Sequence, residues 1–261
     1  MAGQSFPKRF LYLTDIHWGY EQTGRTRTAI HSLKALDTVL RFATDFAPDY
    51  VIWGGDNLDC AAISHHTQHK PRTVEGLRIQ EDAAGFAAYR QAVAQTMRKG
   101  GTEVLFEGNH EDWLNDLVDK VPGLEGLLDL RTLVGFPADG VFVPQGGIWN
   151  LGTLWFLHGD VFKGGGANVA KKAVEIYGRS IRFGHFHRFE AFTKHAALDA
   201  RDTKTGMAIP CLCTRSPGYA KGAPNQWSQG FLYGWVHKDG TFTDVPVMLV
   251  DGHFTYDGRV Y

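Results

Sequence analysis

The chain is poor in cysteine: Cys60, Cys211 and Cys213 are the only three among 261 residues. They are too few and too unevenly spaced for a disulfide framework or a four-thiolate zinc site, and read as reduced packing residues. Long hydrophobic runs are also missing. No apolar stretch approaches the roughly 18 residues that a membrane span needs. Met1 to Phe10 lacks the charged, then apolar, then small order of a secretory signal, so a soluble, cytoplasmic protein is expected. Excess charge of either sign is absent, with a formal net charge of -1 and a pI near 6.9. Nothing therefore indicates a polyanion-coating surface, although a local basic strip could sit inside a neutral total. No internal repeat, low-complexity tract or linker breaks the chain, and a single domain over residues 1–261 is expected.

Histidine, by contrast, is abundant at twelve residues, and it is both the commonest metal ligand and a frequent proton carrier. Short apolar runs at Phe10 to Leu13, Tyr50 to Trp53, Val104 to Phe106, Leu154 to Leu157 and Ile181 to Phe183 read as buried strands. Helical spacing appears from Ala29 to Ala43 before Pro48, over Leu77 to Arg98, from about Asp112 to Val118, and from Ala170 to Tyr177. After about residue 190 the texture becomes β-rich. Phe231, Tyr233 and Trp235 alternate, and Asp-Gly pairs at Asp239, Asp251 and Asp257 signal hairpins. That part is expected to form a second, mostly antiparallel sheet.

Each of the five strands runs into a glycine-punctuated polar cluster: Asp15-x-His17, Gly55-Asp56-x-x-Asp59, Gly108-Asn109-His110-Glu111, His158-Gly159-Asp160 and Gly184-His185-x-His187. In open α/β sheets, sites form outside the carboxyl ends of strands, so loops scattered in sequence should converge. The converging set is Asp15, His17, Asp56, Asn109, His158, His185 and His187. Mixed carboxylate, imidazole and amide donors suit borderline divalent ions such as manganese, iron or zinc rather than magnesium or calcium. A bare aspartate has enough lone pairs to bridge two cations. The glycines are expected to supply the tight turns.

In order and composition, these five clusters resemble the motifs of the calcineurin-like metallophosphoesterase superfamily, over about residues 15 to 187. The resemblance implies a four-layer α/β-β/α sandwich of two packed mixed sheets with a metal site at the carboxyl ends of strands. Its motif-bearing part would span about 10–190, and a β-rich part, about 205–261, would complete the second sheet. It implies two divalent ions, manganese first, with iron, zinc or nickel as alternatives. Asp15, His17, Asp56 and His187 would hold one ion; Asp56, Asn109, His158 and His185 would hold the other. A hydroxide bridging the metals would attack phosphorus in line, His110 would protonate the leaving group as a general acid, and Asp59 would orient His110. The implied function is a phosphodiesterase or phosphatase acting on a small-molecule or nucleotide-like phosphoester. The same superfamily contains exonuclease-like DNA and RNA nucleases, which makes a nuclease the chief alternative. A binding module that has lost catalysis is the alternative from another class. The phosphoprotein phosphatase branch carries an arginine where this sequence has Cys60.

Weaker signals remain. Arg188 and Arg179 are candidates to clamp a phosphate oxygen, and equally to pair with surface carboxylates. His65, His66 and His69 fall in a long loop read as solvated, with substrate contact as the alternative. Gly164 to Gly166 precede a helix but lack the Lys-Ser/Thr of a nucleotide loop, and read as a flexible turn. Tyr219, Lys221 and Trp227 lie in a Pro/Gly-rich stretch, residues 215–230, that resembles a lip; the two aromatics are read as loop anchors, with stacking on a base as the alternative.

Overall fold

The computed structural model describes residues 6–23, 26–67, 69–163, 167–217 and 225–261. Along the chain run β1 (Lys8–Leu13), β2 (Tyr20–Thr23), β3 (Thr26–Ala29), α1 (Leu33–Phe46), β4 (Tyr50–Trp53), α2 (Pro71–Val74) and α3 (Ile79–Ala94). They are followed by β5 (Thr102–Phe106), α4 (Trp113–Lys120), α5 (Leu130–Leu133), β6 (Val141–Val143), β7 (Trp149–Leu151), β8 (Leu154–Leu157), α6 (Val169–Tyr177) and β9 (Ser180–Phe183). The last elements are β10 (Glu190–Ala196), β11 (Asp199–Ala208), β12 (Gly230–Val236), β13 (Phe242–Met248), β14 (Thr255–Tyr256) and β15 (Arg259–Val260). The fold is mixed α/β. Among the described residues, no helix is long and apolar enough to cross a membrane.

A six-stranded sheet has the order β13-β12-β1-β4-β5-β6, and a five-stranded sheet has the order β10-β11-β9-β8-β7. In the first, β1, β4, β5 and β6 are parallel while β12 runs antiparallel to β1, and β13 antiparallel to β12, at one side. The second is also mixed: β8, β9 and β11 are parallel, flanked by antiparallel β7 and β10.

Period-two alternation divides the strand side chains between cores. On β1, Leu11 and Leu13 join a cluster with Phe42 of α1 and Phe86 of α3. Phe10 and Tyr12 point the other way, into a cluster with Leu154 and Phe156 of the five-stranded sheet. Phe10 meets Phe156 edge-on at 5.8 Å. A third cluster joins Ile181 and Phe183 of β9 to Val169 and Val174 of α6.

Two expectations fail here. The late strands β12 and β13 do not complete the second sheet; they extend the first, with Leu11 of β1 opposite Tyr233 and Tyr12 opposite Leu232. β12 is buried along both faces except at Trp235, as suits a strand held between β1 and β13 inside the sheet. Only β10 and β11 of the late chain join the second sheet. The first helix begins at Leu33, not Ala29, because Ser32 caps it by accepting a hydrogen bond from Ala35 N–H while Thr26–Ala29 pairs with β2. The Asp-Gly signals do mark turns. Asp257 and Gly258 both take positive φ between β14 and β15, as a two-residue hairpin of that type requires.

Candidate metal centre

Asp15 follows β1, Asp56 follows β4, Asn109 follows β5, His158 follows β8, and His185 and His187 follow β9. Donor atoms of Asp15, His17, Asp56 and His187 lie within 4.8 Å of one another, as do those of Asp56, His158 and His185. Asp56 belongs to both groups. Asn109 Oδ1 stands 3.2 Å from His158 Nε2. The structure thus brings together all seven residues on which the sequence converged.

Their hydrogen bonds fix which atoms face inward. His158 Nδ1 lies 3.0 Å from the Gly54 carbonyl, an acceptor only, so Nδ1 carries the proton and donates. Its Nε2 lone pair is then aimed at Asp56 Oδ2, 3.2 Å away, and at Asn109 Oδ1. His17 Nδ1 lies 3.1 Å from Asp59 Oδ1, which leaves its Nε2 facing His187 Nε2 at 3.2 Å. His187 Nε2 also lies 3.3 Å from Asp15 Oδ1. Acceptors converge on acceptors in a buried pocket, an arrangement that needs positive charge between them. A proton on Nε2 can meet part of that need, since burial alone would depress His158 while the Asp56 carboxylate carries it up to about 10. Burial and His158 hold His185 below the usual histidine range, and its buried Nδ1 has no hydrogen-bond partner among the described residues. The donor set therefore fits divalent cations of borderline softness.

The backbone that presents these donors is unusual. Asp15, His17, Asp56, His185 and His187 all take left-handed φ values, between 49° and 69°. Such values are uncommon for residues with a Cβ, and they aim side chains inward from very short loops. Of the glycines beside the donors, Gly55 and Gly159 take the positive φ expected of turns, at 92° and 121°, while others serve close packing. A Cβ on Gly184 would come within 2.3 Å of Asp15 Oδ2, and one on Gly108 within 2.3 Å of Asp56 N, so these positions are kept empty for close approach of loops.

Glu111 stands out in the sequence only as a neighbour of the third cluster. In the structure it is fully buried and accepts backbone N–H groups from Asp56 at 2.9 Å, Asn57 at 2.6 Å, Leu58 at 2.9 Å and Gly108 at 2.9 Å. One carboxylate ties the loop of Asp56 to the loop that carries Asn109. Cys60, Cys211 and Cys213 are free and buried, as expected, and Cys213 Sγ also stands 3.8 Å from His187 Nδ1 behind the site.

His110 borders the cluster, 4.5 Å from His17 and 4.2 Å from Trp113 between ring centroids. Its orientation differs from the expectation: Nδ1 lies 2.8 Å from the Asp59 main-chain carbonyl, while the Asp59 carboxylate is 3.9 Å away and engages His17 instead. A carboxylate is drawn to the deeper imidazole, where solvent screening is weakest. A cavity of about 390 Å³ opens beside these groups, and its described lining includes Ser64, His66, Thr67, Trp113 and Trp227. The loop read as solvated thus reaches the site through His66, and Trp227, read as an anchor, packs its ring 4.1 Å from His187. Arg188 and Arg179 are not among the described lining residues: Arg188 lies 3.5 Å from Glu190 and Arg179 sits over Trp155. Gly164 to Gly166, Tyr219 and Lys221 fall outside the described residues.

Asp82 of α3 is 1% exposed, and its Oδ1 lacks a hydrogen-bond partner among the described residues. Burial and the nearby Asp59 charge push its carboxyl up to about 7. The unfolded chain ionises it near pH 4 while the folded chain keeps its proton, so stability falls as pH rises from about 4 to about 7 and then levels. Asp82→Asn should remove that slope. Chemical denaturation should find the variant more stable than its parent by about 2–4 kcal/mol at about pH 8, with the gap shrinking toward pH 4. A gap of equal size at both ends would show that Asp82 is not the titrating group.

No curated protein matches significantly. Among solved structures 35 chains match; one is the crystal structure of TT1561 of Thermus thermophilus, 9% identical, covering 92% of this chain and 99% of that chain, with a TM-score of 0.34. The family model for calcineurin-like phosphoesterases matches residues 8–198, and the chain therefore belongs to that family of metal-dependent phosphoester hydrolases.

Proposed function

We propose that this protein hydrolyses a phosphoester with two divalent ions held on either side of Asp56. The observation that carries the reading is that Asp56 belongs to two separate groups of buried donors, each compact enough for one ion. One ion would sit among Asp15, His17, Asp56 and His187, and the other among Asp56, Asn109, His158 and His185. Manganese suits this mixture of imidazole, carboxylate and amide oxygen, with iron, zinc or nickel as alternatives. We read the three apolar clusters as the spaces between layers of a four-layer α/β-β/α sandwich, with the centre at the carboxyl ends of its strands.

When bound, such ions lower the pKa of water and neutralise charge on the phosphoryl oxygens. The chain's own residues supply the rest. His110 donates Nδ1–H to the Asp59 carbonyl, which leaves Nε2 to carry the proton toward the leaving oxygen as the bond from phosphorus to that oxygen breaks and one to the water oxygen forms. Asp59 holds His17 through Nδ1, so that Nε2 stays a donor to metal. The Asp15 carboxylate accepts the His185 backbone N–H at 2.9 Å on each oxygen, linking the first motif to the last. A nuclease is not favoured, since no lysine or arginine is among the described lining residues of the cavity.

The test is a metal titration joined to an assay. Chelated protein should hydrolyse bis(p-nitrophenyl) phosphate no faster than buffer, regain turnover on addition of manganese, and bind two ions by calorimetry. Failure to turn over any aryl phosphoester with manganese, iron, zinc or nickel would overturn the reading.

A further inference from the structure

Of the seven aromatic rings among the described lining residues of the cavity, six form a continuous chain of ring contacts. Ring centroids step from His66 to Trp113 at 5.8 Å, to His110 at 4.2 Å, to His17 at 4.5 Å, to His187 at 4.9 Å and to Trp227 at 4.1 Å. All six line the same cavity. His110, His17 and His187 are imidazoles in or beside the candidate centre, so a phosphorus atom acted on there would have aromatic rings toward both ends of the chain, Trp113 and His66 at one and Trp227 at the other. Its leaving arm would face Trp113 and His66, because His110 packs on Trp113. Its other arm would face Trp227, because His187 does.

Charge and size narrow the ligand further. No lysine or arginine is among the described lining residues, so no ammonium or guanidinium group there favours a second negative charge on the ester. The cavity volume of about 390 Å³ falls at the lower end of the roughly 300–1,000 Å³ of small-molecule pockets. Aromatic walls hold planar rings by stacking, with little dependence on ring identity.

We propose that the substrate is a small, singly charged phosphodiester with planar aromatic arms, and that His66 and Trp227 select it over monoesters and non-planar diesters. This rests on the metal-dependent hydrolysis proposed above. His66 is exposed and lies in the loop before α2, so it can be changed without disturbing the ligand loops. Trp227 is half-buried, and Trp227→Phe retains a ring if Trp227→Ala perturbs the fold.

Isothermal titration calorimetry on the full chain with saturating manganese provides the test, using diphenyl phosphate, dicyclohexyl phosphate and phenyl phosphate as probes. The first two share one charge and a carbon count and differ in planarity; the third carries an extra charge. Diphenyl phosphate should bind at least about tenfold more tightly than either of the others. His66→Ala and Trp227→Ala should each weaken it by roughly fivefold to a hundredfold, Trp227→Phe by much less, and dicyclohexyl phosphate should change little in any variant. Equal binding of the two diesters, tighter binding of phenyl phosphate, or unchanged diphenyl phosphate affinity in both alanine variants would overturn the proposal. If bis(p-nitrophenyl) phosphate is hydrolysed while one of these failures is seen, this inference alone falls. If no ester is hydrolysed with metal present, the reading beneath it falls too and takes this one with it.

Discussion

Replacing His110 with alanine is expected to lower kcat by about a hundred- to ten-thousandfold on an ester with a poor, alkoxide-like leaving group. The loss should shrink toward unity on an ester whose leaving group, such as p-nitrophenolate, departs without a proton. The contrast follows from geometry. His110 is partly exposed to the cavity, and its Nδ1 is occupied by the Asp59 carbonyl, so Nε2 is the atom available to substrate. Its backbone N–H donates to Asp56 Oδ1 at 2.9 Å, a bond that any side-chain change leaves in place. Steady-state kinetics on the two esters decide the matter; equal losses on both would remove His110 from the proton-donating role and suggest damage to the centre instead.

Glu111→Ala should be the most damaging single change to stability. Four backbone N–H groups from two loops end on this one buried carboxylate. Each donor left buried and unpaired costs about 1–3 kcal/mol, and partial entry of water limits the sum to about 3–5 kcal/mol, a large share of the roughly 5–15 kcal/mol that holds a typical domain together. Glu111→Gln should not rescue it, because the amide NH₂ would point at N–H donors where an oxygen now accepts them. Urea denaturation of the parent and both variants tests this. A loss below about 1 kcal/mol for the alanine variant would mean the loops hold each other without the carboxylate.

Much of this was legible in the sequence, and the reasons for the remainder are physical. Among the strands carrying the motifs, β4 and β8 are short and apolar throughout and match their runs end to end, whereas β1, β5 and β9 include polar residues. The β2–β3 hairpin escaped because its second strand, Thr-Arg-Thr-Ala, is largely exposed and has no apolar alternation to read. Placement of β12 against β1 depends on a pairing more than two hundred residues apart, which no local pattern encodes. At the site, the candidate ligands were readable because they sit in short glycine-punctuated loops at the ends of buried strands. The partners of Asp59, the clamp at Glu111 and the reach of His66 were not, since each depends on the path of a loop in space. The one signal for Glu111 was an acid closing the third cluster, at a position where nothing in the local pattern asks for a solvent-facing acid.

The left-handed backbone at Asp15, His17, Asp56, His185 and His187 has a practical corollary for anyone improving this protein's heat tolerance. A selection that scores only survival of the fold will find relief at those five positions by installing glycine, the residue to which such torsions come free. Libraries screened that way should drift toward sturdy, inert proteins, and holding those five codons fixed is the condition for gaining robustness without surrendering turnover.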